Sequence, residues 1–292
     1  MHSYYEKSAR ERIDAIVDAG SFREILPPQA RMLSPHLQAL DLPVAFDDGV
    51  ITGAATLSGL PILVAAQEGG FMGGAVGEVH GAKLVGLLQR AVHDELAGVV
   101  LLLESGGVRL QEANAGLIAV SEVIRAILAS RAAGVPVVGA IGGQYGCFGG
   151  MGIAAACCTA LVMSEEGRLG LSGPEVIETA HGVEEFDSRD RGRVWRTVGG
   201  KHRYLLGDCA ALVDDSVEAF RSAIADAIGA GDRLDLDALE REQDLLDRRL
   251  QRFGQSTDGE DIWRLLGWRE PERVPLLTAP EFVAQARERR VR

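Results

Sequence analysis

Two apolar runs, 99–103 and 135–141, each break off in a pair of glycines. Val99–Leu103 leads into Glu104-Ser105-Gly106-Gly107, and Val135–Ile141 ends in Gly142-Gly143. Runs this short and this free of charge suit strands buried on both faces, as in parallel sheets covered by helices. Parallel strands need crossovers, and the intervening segments have helical periodicity. Val76, Val79, Leu84, Leu87, Leu88 and Ala91 share one face of a helix expected over 76–96. A second helix is expected over 112–133. A small-residue helix, Met151–Cys158, follows the second run. The repeated order of strand, Gly-rich turn and helix predicts an α/β domain with right-handed crossovers.

The flanks read less regularly. A helix over 6–20 is expected to stop at Gly20, and Pro27, Pro28, Pro35 and Pro43 predict a loop-rich stretch. Gly49–Ser58 and Pro61–Gln67 read as strands joined by a turn at Ser58-Gly59. Gly69-Gly70 and Gly73-Gly74 form a loop after them. Ala160–Ser164 and Arg168–Leu171 read as short strands. Residues 184–205 are polar and basic, with Arg189, Arg191, Arg193, Arg196, Lys201, His202 and Arg203. That stretch suits a site for a phosphate or an acidic carrier protein, and suits a solvated surface loop equally. The stretch 215–292 reads as mostly helical and charged, with a loop at 254–259.

Composition narrows the function classes. A net charge of −12 argues against general nucleic-acid binding. Cys147, Cys157, Cys158 and Cys209 have no C-x-x-C spacing and no disulfide-framework pattern. The first 21 residues are charged and lack an apolar stretch, so no signal peptide is expected. No apolar stretch reads as a membrane span. Together these lead to the expectation of a cytoplasmic protein with reduced thiols.

Conventional catalytic signatures are missing. Ser105 and Ser172 neighbour glycines but sit in no G-x-S-x-G. His80, His93, His181 and His202 lack a metal-binding or triad-like context, and surface or packing roles suit them better. Cys157 and Cys158 point about 100° apart on a helix and suit packing. Gly150-Met151-Gly152-Ile153-Ala154-Ala155 fits G-x-G-x-x-A, but a loop separates it from its strand, so a dinucleotide site is poorly supported. What remains is the glycine turns. Gly106-Gly107 follows a strand, where ligands of open α/β sheets bind. Gly149-Gly150 precedes a helix, whose first N–H groups are free donors. These glycines serve either tight turns and close packing, or N–H donors aimed at an oxyanion, and spacing alone leaves both readings open.

Several ordered motifs resemble the carboxyltransferase signature of acyl-CoA carboxylases. They are Gly20-Ser21-Phe22-Arg23-Glu24, Phe46-Asp47-Asp48-Gly49 through Thr52-Gly53, Phe71-Met72-Gly73-Gly74, Gly77-Glu78-Val79-His80-Gly81-Ala82-Lys83, and Ser105-Gly106-Gly107-Val108-Arg109-Leu110-Gln111-Glu112. The resemblance spans about residues 10–215. It implies a crotonase-like spiral of ββα units over 1–215, with 216–292 as a helical extension packed on it. It implies an oxyanion hole at Gly106, Gly107 and Val108 and at Gly149, Gly150 and Met151. It further implies substrate contacts from Phe71, Met72, Gly73, Gly74, Arg109, Gln111, Gln144 and Tyr145, and no metal.

Within that family the whole is most similar to the β subunits of malonate decarboxylases. This implies a malonyl thioester on an acyl carrier protein as substrate, with acetyl thioester and CO₂ as products. It implies no directly bound cofactor, a phosphopantetheine-type, CoA-derived group on the carrier, and a homologous γ-type carboxyltransferase subunit completing the site. Departures favour a biotin-independent type. The four-cysteine zinc ribbon of bacterial acetyl-CoA carboxylase β subunits is not in this sequence. Their Asp-Pro-Thr-Thr-Gly-Gly stretch reads Gly143-Gln144-Tyr145-Gly146-Cys147-Phe148-Gly149-Gly150. The alternatives are a subunit of a biotin-dependent acyl-CoA carboxylase or decarboxylase, and a non-catalytic assembly subunit.

Overall fold

The computed structural model describes residues 3–44, 48–231 and 233–291, so Phe46 and Asp47 of the sequence motif lie outside the described residues. Among the described residues, seven strands form one sheet: β1 (Arg23–Ile25), β2 (Val50–Leu57), β3 (Leu60–Gln67), β4 (Gly98–Leu102), β5 (Val137–Ile141), β6 (Ala160–Ser164) and β7 (Ala211–Val213). Each pairs with the next in sequence. β1, β2 and β3 are antiparallel, and β3 through β7 are parallel. Sequential order with parallel crossovers makes the chain advance as a spiral. The β2–β3 hairpin closes on Ser58 and Gly59, both at positive φ, with Leu57 opposite Leu60. A two-residue turn of that kind matches the twist of the strands. Asp18 caps it by accepting the N–H groups of Ser58 and Gly59.

The helices are α1 (Ala9–Ile16), α2 (Pro35–Ala39), α3 (Glu78–His93), α4 (Ala113–Ala132), α5 (Gly149–Ala156) and α6 (Pro174–His181). They continue with α7 (Arg191–Val198), α8 (Gly200–Leu206), α9 (Val217–Gly229), α10 (Leu236–Phe253), α11 (Gly259–Leu265) and α12 (Ala279–Ala286). All five residues of β4 and of β5 are buried, as their unbroken apolar character requires. Val99 and Leu101 face a core shared with α3, α4, α5 and α12. Val100 and Leu102 face a second core shared with α1 and α9, where Tyr4 stacks on Phe220.

A second row of single bridges runs beside the sheet: Val76 with Val108, Ser105 with Cys147, and Cys147 with Leu169, all parallel. These supply the second β element of each ββα unit and bring the Gly-rich turns side by side. The fold is therefore the crotonase-like spiral expected from the sequence.

Some expectations need correction. The stretch 168–171 is not a strand but two bridge positions, Arg168 and Leu169, because its neighbours offer one partner residue at a time. The first helix ends at Ile16, not at Gly20, where the Val17 N–H closes on Ile13 and the backbone turns extended. The basic stretch is largely helical rather than loop. Lys201 is buried and donates to Glu165 and to the carbonyls of Pro275 and Leu277. Arg196 pairs with Asp258, and Arg203 with Asp208. These charges are used inside the fold. Among the described residues, one stretch, 110–132, is long and apolar enough by length and composition to cross a membrane. It contains α4, whose Gly116, Ala119, Val120, Val123, Ala126 and Ile127 pack inward.

Candidate active site

The two glycine pairs meet. A Cβ on Gly107 would stand 3.1 Å from Gly149 Cα and 3.3 Å from Gly150 N. A Cβ on Gly149 would stand 3.2 Å from Gly106 O and Gly107 Cα. Both positions have positive φ, +111° at Gly107 and +60° at Gly149. Glycine is therefore required twice over, by conformation and by contact.

The N–H groups here divide into engaged and open ones. Gly106 donates to Gly73 O at 2.8 Å, and Gly149 to Leu171 O at 2.9 Å. Gly107 donates to Ser105 Oγ at 3.1 Å, while that hydroxyl donates to Gly74 O at 2.7 Å. Among the described residues, the N–H groups of Val108, Gly150 and Met151 donate to no protein acceptor. Gly150 and Met151 lie in the first turn of α5, where helical geometry leaves N–H groups unpaired. The helix dipole adds partial positive charge there. Gly106 is exposed, and Val108, Gly149 and Gly150 are half-buried, so the junction opens to the surface.

Two of the turns around this junction are braced from below. Arg109 is completely buried and spans Asp48 at 3.0 Å and Glu112 at 2.9 Å. It also donates to the carbonyls of Asp48 and Ala75 and lies over the Phe71 ring. Arg109, assigned by resemblance to substrate, thus faces the interior and holds the turns in place. Phe71, Met72 and Gly73 are half-buried, and Gly74 is buried with Glu104 O directly against it. Gln111, Gln144 and Tyr145 are exposed.

The side chains not expected to react are accounted for. His80 is fully buried, and burial drives its pKa well below the ordinary value. Burial likewise lowers His202 to about 3, with Trp263 Nε1–H donating to its Nδ1. His93 and His181 lie at the surface. Cys158 and Cys209 are pushed up to about 12 by burial, which keeps them as thiols. His36, Glu78 and Glu112 bring potential ligand atoms within 4.8 Å of one another. Hydrogen bonds satisfy them: His36 meets Glu78, and Glu112 accepts from the Glu78 N–H and Arg109.

Residues 2–222 match the family described as the carboxyl transferase domain. The chain belongs to that family. A malonyl-S-ACP:biotin-protein carboxyltransferase from Malonomonas rubra is 40% identical, over 98% of this chain and 96% of the relative. An acetyl-coenzyme A carboxylase carboxyl transferase subunit β from Fusobacterium nucleatum is 31% identical, over 60% of this chain and 59% of that one. A chain of a Pseudomonas malonate decarboxylase hetero-tetramer, solved with malonate, superposes with a TM-score of 0.83. It is 42% identical and covers 91% of this chain and 97% of its own. Within the family, then, acyl-CoA carboxylase subunits are the more distant relatives.

Sequence reasoning missed Glu104 and Arg168, which hydrogen-bond the peptide between Gln144 and Tyr145, and Arg12, which binds Glu104. Glu104 was signalled only by its place next to Ser105-Gly106-Gly107. Arg12 and Arg168 carried no signal, because they reach these partners from distant parts of the chain.

Proposed function

We propose that this chain is the β-type subunit of a malonate decarboxylase, acting on a malonyl thioester presented by an acyl carrier protein. The observation that carries the reading is the junction of the two glycine turns, with the open N–H groups of Val108, Gly150 and Met151. Cleavage of the bond between the carboxylate carbon and the α-carbon releases CO₂. The bonding pair moves into an enolate whose charge gathers on the thioester oxygen. Donors fixed at that oxygen favour the transition state over the ground state. A proton, from solvent or a partner residue, then completes the acetyl thioester. The thiol is that of a phosphopantetheine-type group on the carrier.

The site is completed by a homologous carboxyltransferase subunit. Leu110, Leu117, Ile118, Ile153 and Leu171 are exposed on the elements that carry or border the glycine turns. Such a cluster suits burial against a partner. Residues 1–215 form the carboxyltransferase domain and 216–292 an extension packed on it. The enzyme works in the cytoplasm.

The test is reconstitution. Malonyl-carrier decarboxylation should require this chain, its partner subunit and the carrier, and Ile153→Asp should block assembly without unfolding the chain. Full activity of the isolated chain would refute the two-subunit reading. A second reading, carboxyl transfer to a biotin protein, is favoured by the name of the 40% identical relative. Activity abolished by avidin would select it.

A further inference from the structure

The peptide unit joining Gln144 to Tyr145 is held from both sides. Its carbonyl oxygen accepts from Arg168 Nη2, and its N–H donates to Glu104 Oε1 at 3.0 Å. Glu104 is 3% exposed, and its other oxygen is bound by Arg12, which is 1% exposed. Arg12 also donates to the carbonyls of Tyr4 and Tyr5 and lies over the Tyr4 ring. Arg168 lies over the rings of Phe148 and Trp195, at 5.8 and 5.1 Å. Both charged groups therefore reach the peptide from packed mounts.

The local sequence gives this peptide no rigidity of its own. Gly142-Gly143 precede it and Gly146, at φ +69°, follows it. A turn bounded by glycines samples many peptide orientations. The carboxylate fits tightly beneath it: a Cβ on Gly143 would stand 2.4 Å from Glu104 Oε1, and one on Gly69 would stand 2.8 Å from the carboxyl carbon. A buried ion pair is a weak source of net stability, because desolvation offsets the attraction. It is a strong source of fixed geometry. The side chains on the held peptide, Gln144 and Tyr145, are both exposed. Three residues on, Phe148 caps the helix that carries the open N–H groups of Gly150 and Met151.

We propose that Glu104, mounted on Arg12, and Arg168 are positioning residues that clamp the Gln144–Tyr145 peptide, so that its two exposed side chains meet the acyl-thioester arm in one orientation. The identity of the arm rests on the function proposed above, whereas the clamp does not.

Three variants separate the parts. Arg12→Met with Glu104→Leu removes both charges and the acceptor. Arg12→Met with Glu104→Gln removes the charges and keeps an acceptor for the Tyr145 N–H. Arg168→Met frees the carbonyl from a half-buried position, where folding is safest. Hydrogen exchange at the Tyr145 amide, measured on the full chain in its complex, reads the clamp. Kinetics with the malonyl-carrier substrate read KM against kcat.

The Leu double variant and Arg168→Met should each raise exchange and KM about tenfold or more, the ratio expected for one lost hydrogen bond. Their kcat should stay within about threefold, and the Gln double variant should stay within about threefold of wild type throughout. Unchanged exchange in both the Leu double variant and Arg168→Met would overturn the clamp. Faster exchange with unchanged KM would overturn the positioning role. A Gln double variant as impaired as the Leu one would assign the effect to packing and overturn the proposal. A wild-type complex that turned over no malonyl thioester would instead sink the function proposed above, and amide exchange would still decide the clamp.

Discussion

Gly107→Ala tests the junction most directly, and the structure supplies its magnitude. The φ of +111° places an L-residue in a conformation that costs about 1–3 kcal/mol. The new methyl would also meet Gly149 Cα and Phe148 O at 3.1 Å and Gly150 N at 3.3 Å, closer than ordinary contact. Those three atoms are backbone, so the two turns must separate by a few tenths of an ångström. Separation moves the Val108 N–H away from those of Gly150 and Met151. Losing one well-placed donor lowers kcat by about 10²–10³. Gly134→Ala is the control. Gly134 has φ +85°, nothing within 4 Å of its Cβ position, and lies at the far end of α4. It should cost about 1–2 kcal/mol of stability from the left-handed conformation alone and leave kcat unchanged. The assay is CO₂ release from malonyl-carrier by the assembled complex, with urea unfolding of each variant alongside. If Gly107→Ala, folded, kept a kcat within about threefold of Gly134→Ala, the donors would not be the source of catalysis.

Other outcomes follow from the same contacts. Arg109→Met would leave Asp48 and Glu112 buried without their cation, and should lower stability by about 3–5 kcal/mol in denaturant unfolding. Phe282, fully buried and stacked on Trp268 at 5.6 Å, should lose about 3–5 kcal/mol on change to Ala. A loss under 1 kcal/mol would mean that α12 is only loosely attached. His80 and His202 are buried and neutral in the fold, but take up protons near 6.5 when unfolded. The unfolded chain thus binds more protons below about pH 6.5, and stability should fall as pH falls. The expected slope is about 1.4 kcal/mol per pH unit for each histidine, continuing to about pH 3 for His202. A flat unfolding free energy between pH 6.5 and 5 would contradict this assignment.

The sequence by itself determined the sheet's buried strands, because β4 and β5 are apolar at every position and leave no face for solvent. It also marked the β2–β3 turn, since Ser58-Gly59 separates two strand-like runs. The ordered motifs marked both glycine turns as places of interest. Their local chemistry could not decide between packing and an oxyanion site. Only the tertiary structure decided which N–H groups stay open. Gly106, Gly107 and Gly149 are engaged by Gly73, Ser105 and Leu171, acceptors between 2 and 33 residues away, and no spacing rule predicts such pairings. Arg109 met the motif as a substrate ligand, yet the fold turns it inward onto Asp48 and Glu112. The basic stretch told the same lesson: Lys201 and Arg196 are consumed by partners that the fold and its C-terminal segments bring near. Periodicity reports which face of an element is buried. Which polar atoms then find partners depends on contacts across the whole chain, and that is where this site is made.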